Sequence, residues 1–272
     1  ANYGMWAWGD EIALCFTVGY HESGGGFHAR DRSRPFITMQ ARSADGGETW
    51  VVNEAPLAIS TNLSTYEHQL ESSVTGDGPQ RFVDIGDVDF THPEFAAMCG
   101  RTGLRAGARS WFYTSNDRWN TWDGPFGIPM FDQHGIAART DWLINGPTDA
   151  TLMLTATKTD GEEGRVFAAR TLDGGATFRF LSWVDESPDG FHIMPSSLRL
   201  PDSTILTAVR CRGVNQRDNW IDVYRSADDA ISWEFLSRPV TDTGDGGNPA
   251  SMHLLPDASI VLIWGSRKEP FG

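Results

Sequence analysis

The sequence predicts an all-β fold, a β-propeller of four-stranded antiparallel blades, and three observations carry that prediction. An eight-residue pattern recurs four times, a second pattern recurs twice, and both repeat at intervals of roughly 55 residues. A repeat of this length is too long for a simple solenoid and fits one four-stranded blade. Aromatic residues make up 11% of the chain and glycines number 29, which suits many short strands joined by tight turns.

The eight-residue pattern, called the box below, reads Ser or Thr, any residue, Asp, any three residues, Thr or Ser, and an aromatic residue. The spacing of its four aspartates is nearly constant after a longer first gap: Asp45, Asp117, Asp173 and Asp228. An Asp carboxylate accepts backbone N–H groups within a turn, and Gly tolerates the positive φ that such turns need. Two boxes have Gly two residues after the Asp, whereas Trp119 and Ala230 stand there in the others. We therefore expect four structural hairpins rather than parts of one active site.

The second pattern sets the layout of the blades. Segments 194–206 and 248–261 each read as a strand, a Pro-Asp turn and an apolar strand, and the turn prolines Pro201 and Pro256 repeat at the interval of the last two boxes. Each blade is then strand A, turn, strand B, loop, strand C, box and strand D. Within one domain over residues 1–272, the predicted blades lie near 5–56, 80–126, 135–184 and 190–242. A partial blade begins near residue 246, and since two strands and a box are missing after it, we expect the sequence to be incomplete.

Composition excludes several functions. The formal net charge of −14 argues against nonspecific binding to nucleic acid or to anionic membranes, so an anionic ligand needs a local basic pocket. The sequence contains no run of about 18 apolar residues, so it predicts no membrane-spanning helix. Cys15, Cys99 and Cys211 lack metal-ligand spacing and are interpreted as core thiols, and the sequence predicts no metal and no cofactor. The cellular location stays open; a removed leader would make the protein secreted or periplasmic.

The boxes resemble the Asp boxes of the sialidase superfamily, and segments 195–210 and 248–267 are similar to two blades that supply its substrate arginines. The resemblance implies a six-bladed propeller and a carbohydrate-active enzyme, most often a glycoside hydrolase. It also implies an acidic oligosaccharide or polysaccharide as partner. Sialidases bind the sialic acid carboxylate through three arginines, and they use an Asp as acid with a Tyr nucleophile assisted by a Glu. The same propeller serves other chemistries, so the fold alone does not settle the reaction.

Two substrate arginines carry over from this resemblance. Arg210 follows Met194 at the offset that separates the family's Glu from its second arginine, so the resemblance assigns Arg210 to the substrate carboxylate. Arg267 follows the predicted strand B of the partial blade and is implied as the third arginine. The family's first-arginine motif is missing. Because a methionine cannot polarise a tyrosine, we do not expect an ordinary sialidase mechanism.

The loop at residues 20–35 is the first candidate for chemistry. It is dense in titratable groups and contains a glycine run that allows a ligand to approach the backbone closely. Sialidases take their acid from the corresponding loop, so the resemblance makes Asp31 the candidate acid, with Arg30 and His28 as substrate contacts. The alternative is an exposed loop whose charges pair at the surface.

Three histidines are the next candidates. His134 and His192 each precede a predicted strand A, on the side of the blade that faces the channel, and are interpreted as catalytic bases. His92 has a similar position and is interpreted as a substrate contact. The alternative for each is a structural role, which is the commoner one for a lone histidine.

Three function classes stay open. In a glycoside hydrolase, the arginines neutralise a sugar carboxylate and Asp31 protonates the leaving oxygen. In a lyase on a uronate polysaccharide, Arg210 acidifies the C5 proton and His134 or His192 removes it. The third class is a glycan-binding propeller without catalysis. We favour the hydrolase acting on an acidic glycan, because members of the superfamily most often have that activity.

Overall fold

The computed structural model describes residues 4–24, 31, 33–34, 37–56, 83–186, 188, 190–215 and 217–268. Over these residues the chain forms five antiparallel sheets in sequence order, arranged as a propeller, and contains no helix. No described segment is therefore a helix that could cross a membrane. The predicted all-β propeller is confirmed.

The sheets are numbered as blades in chain order. The first blade contains β1 (Met5–Trp8), β2 (Glu11–Val18), β3 (Ile37–Ser43) and β4 (Val51–Glu54). The second contains β5 (Ala96–Arg101), β6 (Ser110–Ser115) and β7 (Asp123–Ile128). The third contains β8 (Ile136–Ile144), β9 (Ala150–Thr157), β10 (Glu163–Thr171) and β11 (Arg179–Trp183). The fourth contains β12 (Phe191–Arg199), β13 (Ile205–Arg212), β14 (Asn219–Ser226) and β15 (Glu234–Val240). The fifth contains β16 (Ala250–Leu254) and β17 (Ile260–Trp264).

The second blade departs from the four-strand pattern. Residues 83–95 precede β5 without forming a strand, and residues 57–82 lie outside the described part of the chain. The backbone N–H of Val83 donates to the carbonyl of Pro125 in β7, and that of Phe90 donates to the carbonyl of Pro147. This segment therefore contacts the blade's last strand and the third blade.

Blades pack face to face, and the alternation of side chains along each strand decides which neighbour a residue meets. On β13, Val209 and Cys211 point into the core shared with the third blade, whereas Ala208 points into the core shared with the fifth. The first strand of each blade also contacts the first strand of the next, since β8 packs on β5, β12 on β8 and β16 on β12. Odd-numbered residues from Val209 to Cys211 on β13 therefore face the third blade, and even-numbered residues there face the fifth.

Polar side chains form hydrogen bonds between the first strands of neighbouring blades. Ser197 on β12 donates its backbone N–H to Asp141 Oδ1 on β8 at 3.0 Å, and its hydroxyl donates to Asp141 Oδ2 at 2.8 Å. The backbone N–H of Met252 on β16 donates to Ser196 Oγ on β12 at 2.9 Å. Burial raises the pKa of the Asp141 carboxyl to about 6, although the Ser197 bonds act in the opposite direction.

The four boxes form the same hairpin, between the last two strands of the first four blades. In the third blade, Asp173 Oδ1 accepts the Thr177 N–H at 2.8 Å and the Thr171 hydroxyl at 2.9 Å, and Oδ2 accepts the Thr177 hydroxyl at 2.6 Å. The hydroxyl oxygen of Thr171 accepts the Gly175 N–H. The same bonds recur at Asp45, Asp117 and Asp228. They stabilise the ionised carboxylate and lower the pKa of Asp45 to about 2, with Thr49 as the main cause.

Both residues after the Asp have positive φ in every box, also where Gly is absent. Arg118 has φ of 55° in the second blade and Asp229 has φ of 62° in the fourth. A left-handed conformation costs a residue with a side chain roughly 1–2 kcal/mol. Arg118 pairs with Glu11 of the first blade at 2.7 Å, and Asp229 pairs with Arg170 of the third. Contacts with a neighbouring blade therefore offset part of the local strain.

All three cysteines are buried with free thiols, as the sequence predicts for core residues. Burial raises the pKa of the Cys15 and Cys99 thiols to about 12. Both are therefore protonated at neutral pH and unreactive in the folded chain.

Candidate functional site

Four arginines from the third, fourth and fifth blades act on one another near the end of β13. Arg210 and Arg212 occupy the end of β13, opposite Ile193 and Phe191 of β12. Being two residues apart, they lie on the same face of the sheet. Electrostatic repulsion from Arg139 on β8 and from Arg267 after β17 also acts on Arg210. We call Arg139, Arg210, Arg212 and Arg267 the arginine cluster.

Within the described part of the chain, Arg210 donates hydrogen bonds to neutral acceptors alone. Its Nη1 donates to Met194 Sδ at 3.4 Å, and its Nη2 donates to the carbonyl of Gly246. The same carbonyl accepts Arg212 Nη2 at 2.8 Å. Arg210 Nε is buried and has no hydrogen-bond acceptor among the described residues. A buried guanidinium N–H without an acceptor is costly, so this position favours a ligand that brings one.

The charge of Arg210 is poorly compensated. Burial lowers its pKa to about 10, and repulsion from Arg212, Arg139 and Arg267 adds to that effect. Glu163 is the carboxylate that opposes the shift. An anion bound here would restore the pKa of Arg210 and gain a charge-assisted hydrogen bond.

Glu163 is already engaged with another member of the cluster. Its carboxylate receives two bonds from Arg139 Nη2, at 3.0 and 3.2 Å, and both side chains are nearly buried. Asp245 similarly opposes the lowering of the pKa that burial causes at Arg212 and Arg267. Arg210 is therefore the member of the cluster whose position most favours an added anion.

A β-bulge brings Met194 to the arginine cluster. The register of β12 with β13 shifts between Ile193 and Ser196, and Met194 has φ of 53°. Regular alternation would turn Met194 towards the third blade, but the bulge redirects its side chain towards Arg210. The sequence offset between Met194 and Arg210 thus corresponds to a contact, with a thioether where the resemblance implies a carboxylate.

His192 lies on the opposite face of the fourth blade from Arg210. It pairs with Cys211 across β12 and β13, and its side chain is buried between the third and fourth blades. Its Nδ1 is 3.3 Å from Asp185 Oδ2 and 3.4 Å from the Tyr224 hydroxyl oxygen. The structure therefore separates His192 from the carboxylate clamp that the sequence analysis placed beside it.

The other two histidines occupy turns. His134 is exposed, and its carbonyl accepts the Gly107 N–H at 2.7 Å. His92 accepts the Glu94 N–H at its Nδ1 at 3.2 Å, which stabilises the turn before β5. Neither contact involves a member of the arginine cluster.

Asp31 is held in a tight turn. Its Oδ1 accepts the Ser33 hydroxyl at 2.6 Å and the Ser33 N–H at 2.9 Å, and these bonds lower the pKa of the carboxyl. A general acid at neutral pH needs the opposite shift, so a bound substrate would have to displace these bonds. Arg30 and His28, the proposed substrate contacts of the same loop, lie outside the described residues.

Arg267 is linked to the strand-free segment before the fifth blade. Its N–H donates to the Thr243 carbonyl at 2.9 Å, next to a parallel bridge with Gly244. The structure thus brings together Arg210 and Arg267, the two arginines carried over from the resemblance. Sequence reasoning missed Arg139, Arg212 and Glu163. A useful signal was Arg212 two residues after Arg210, which predicts a shared face on any strand.

Comparison with known proteins finds the fold but no family. No family model and no curated protein matches the chain. A protein of unknown function from Dyadobacter fermentans DSM 18053 aligns over 97% of this chain and 74% of its own, at 17% identity and a TM-score of 0.67. Trypanosoma rangeli sialidase in complex with sialic acid aligns over 99% of this chain and 44% of its own, at 14% identity and a TM-score of 0.53. The NanB sialidase of Streptococcus pneumoniae aligns over 86% and 33%, at 12% identity and a TM-score of 0.51.

The chain spans less than half the length of these two sialidases. At such identities the likeness shows the fold alone, and the reaction has to be argued from the site. The resemblance to sialidases that the boxes suggest therefore extends to the propeller arrangement.

Proposed function

We propose that this chain binds an acidic glycan through the arginine cluster and hydrolyses one of its glycosidic bonds. The observation that carries the proposal is Arg210, a partly buried guanidinium with a lowered pKa and, among the described residues, only neutral hydrogen-bond acceptors. A sugar carboxylate supplies both the missing charge and the missing acceptor. The likeness of the fold to a sialidase solved with sialic acid supports a carboxylate-bearing sugar as the ligand.

Binding would use the geometry at the end of β13. Arg210 and Arg212 both donate to the Gly246 carbonyl, so the two guanidinium groups converge on one point. A carboxylate has two oxygens that suit the planar fork of a guanidinium, which the single ammonium of lysine cannot reproduce. Glu163 compensates the charge of Arg139, so the excess positive charge of the cluster comes from Arg210, Arg212 and Arg267.

Most glycoside hydrolases use a proton donor and a second carboxylate that flank the scissile bond, whereas sialidases use a Tyr nucleophile in place of the second carboxylate. Asp31 stays the proposed donor. Glu163 is the carboxylate that acts electrostatically on Arg210, and we propose it as the second group. Met194 at the position of the family's Glu favours a different candidate, glycan binding without turnover. The lyase alternative requires a base beside the clamped carboxylate, and it depends on His134 because His192 faces the third blade.

Product analysis on acidic glycans distinguishes these functions. The chain is incubated with sialylated oligosaccharides and with uronate polysaccharides, and released sugars are identified by mass spectrometry. A hydrolase adds water at the cleaved bond, whereas a lyase leaves an unsaturated uronate that absorbs in the near ultraviolet. We expect hydrolytic products; an unsaturated product, or binding without any product, would overturn the proposed reaction.

Recognition of the carboxylate is tested separately by calorimetry. Arg210→Lys should weaken binding of an acidic oligosaccharide at least tenfold, about 1.4 kcal/mol, and should leave binding of its carboxamide analogue unchanged. Arg225→Lys is the matched control, because Arg225 pairs with Glu234 on the outer strands of the same blade. Equal affinity of all three proteins for the acidic ligand would remove Arg210 from the site.

A further inference from the structure

A second polar cluster lies between the third and fourth blades, on the face of β13 that points away from the arginine cluster. His192, Cys211 and Asp222 are all buried, and their ligand atoms lie within 4.8 Å of one another. They come from β12, β13 and β14, three adjacent strands. His192 and Cys211 are direct cross-strand partners, and Cys211 in turn pairs with Trp220, two residues before Asp222. Strand alternation therefore places all three on one face.

The donor set suits a zinc ion. Thiolate, imidazole and carboxylate are its usual protein ligands, in tetrahedral geometry. Zinc–sulfur and zinc–oxygen distances of about 2.3 and 2.0 Å imply a separation of about 3.5 Å between two such ligand atoms. Cys211 Sγ and Asp222 Oδ2 are 3.8 Å apart. The Cys211 and Asp222 ligand atoms are thus close to the spacing that zinc requires, and His192, whose ligand atom lies within 4.8 Å of both, completes the set by moving towards them.

The surroundings of His192 resemble the outer shell of a zinc site. Asp185 Oδ2 lies 3.3 Å from Nδ1, and the Tyr224 hydroxyl donates to the same carboxylate oxygen at 3.2 Å. A metal-binding histidine usually has one ring nitrogen held by such a carboxylate and coordinates through the other. Asp185 follows β11 of the third blade, so its contact with His192 joins the third blade to the fourth.

The local field favours a cation. Two carboxylates border the cluster, Asp185 beside His192 and Asp222 beside Cys211. With Cys211 as thiolate and Arg238 displaced towards solvent, the zinc ion, Cys211, Asp185 and Asp222 together carry one net negative charge. Asp185, Asp222 and Arg238 carry the same net charge when the thiol is protonated and no ion is bound. Exchange of Arg238 for zinc therefore adds no uncompensated charge to the core, where such a charge is costly.

Arg238 is the cation that zinc must compete with. Asp222 Oδ1 accepts Arg238 Nε at 2.7 Å, and Oδ2 accepts Arg238 Nη2 at 3.0 Å and Trp220 Nε1 at 2.7 Å. The Arg238 side chain is 45% exposed, so its guanidinium can move towards solvent while Trp220 keeps its bond. Because Arg238 and zinc compete for Asp222, removing the charge of Arg238 should strengthen zinc binding, which can be measured.

We propose that His192, Cys211 and Asp222 bind one zinc ion, which holds β12, β13 and β14 together at the interface with the third blade. On binding, Cys211 releases its thiol proton to solvent and coordinates as thiolate, and the fourth position is left to water. Because β13 also carries Arg210 and Arg212, the ion would stabilise the strand on which the arginine cluster stands.

Zinc titration of the chelator-treated full chain tests the proposal. We expect one ion per chain by calorimetry, and about a 100-fold smaller unfolding constant at zinc concentrations 100-fold above Kd. Cobalt(II) should give the visible bands of a tetrahedral site and a near-ultraviolet thiolate band. The absence of a one-to-one binding event at millimolar zinc would overturn the proposal.

Three variants separate coordination from nonspecific binding. Cys211→Ser should abolish the thiolate band and weaken zinc binding at least 100-fold, whereas Cys15→Ser, at a buried thiol in the first blade, should change neither. Arg238→Gln should strengthen zinc binding several-fold, because it removes the competing cation. This variant keeps the test decisive if Cys211→Ser fails to fold. Weaker binding in Arg238→Gln, or equal effects of the two cysteine variants, would refute the assignment.

Discussion

Adding one methyl group to a box glycine should have very different costs in different blades. Gly175 has φ of +95°, and a Cβ there would lie 3.0 Å from both Ile85 Cδ1 and Phe112 Cζ. Gly46 has φ of +72°, and the nearest atom to its Cβ would be Asp10 Oδ1 at 4.0 Å. Gly46→Ala therefore adds left-handed strain alone, whereas Gly175→Ala adds strain and overpacking.

The magnitudes follow from these two contributions. Left-handed strain costs roughly 1–2 kcal/mol, and overpacking a core costs about 1–3 kcal/mol. We expect Gly46→Ala to lower the free energy of unfolding by about 1 kcal/mol and Gly175→Ala by about 3 kcal/mol. Phe112 is fully buried in the core between the second and third blades, so it has little room to move away.

Urea denaturation followed by circular dichroism measures both values, provided that the slope m is equal in the two variants and the wild type. Gly46 is the first residue after the Asp of its box and Gly175 is the second, so Gly47→Ala is the control at the position equivalent to Gly175: Gly47 has φ of +98°, and the nearest atom to its Cβ would be Trp50 Cζ2 at 3.6 Å. Equal losses of stability in the two variants would refute the packing argument, and an unchanged Gly46→Ala would refute the strain argument.

Two further predictions concern the blade interfaces. Asp141 has a pKa near 6 in the folded state, above its ordinary value of 3.8, so stability should fall as the pH rises from about 4 to 6 and level off above that. The loss is at most about 3 kcal/mol, and urea midpoints from pH 4 to 8 should show it in the wild type but not in Asp141→Asn. Asp229→Ala should unfold more easily than Asp229→Gly by about 1 kcal/mol, because both lose the ion pairs but only Gly relieves the left-handed backbone. Equal thermal stabilities of the two would contradict that account.

The propeller could be predicted from the sequence because each box hairpin is formed by residues that are close together in the chain. A box needs only eight residues, and each Asp bonds to hydroxyl and N–H groups within four positions of itself. The second blade shows the limit of that logic. Its box is present, yet residues 83–95 form no strand, and their bonds to Pro125 and Pro147 depend on the packed neighbours.

The candidate site was only partly predictable for the same reason. Arg210 was assigned through the resemblance to sialidases, whose motif has the same spacing within one hairpin, and the structure has a contact between Arg210 and Met194 at that spacing. Arg139 and Glu163 enter the site from another blade, and no short-range pattern marks them. His192 was assigned to the channel by its position before a strand, but the face it occupies follows from its pairing with Cys211. A shift of one residue along the strand is enough to move a side chain from one blade interface to the other.

The boxes without glycine also bear on how similar blades assemble in one order. Repeated units with nearly identical hairpins can dock in a shifted arrangement, a common failure of repeat proteins. Arg118 finds a carboxylate partner in Glu11 of the preceding blade, and Asp229 finds an arginine partner in Arg170 of its preceding blade. The charges at these two equivalent positions are opposite, so exchanging the blades would bring like charges together. The departures from the repeat thus favour the native order of blades over a permuted one.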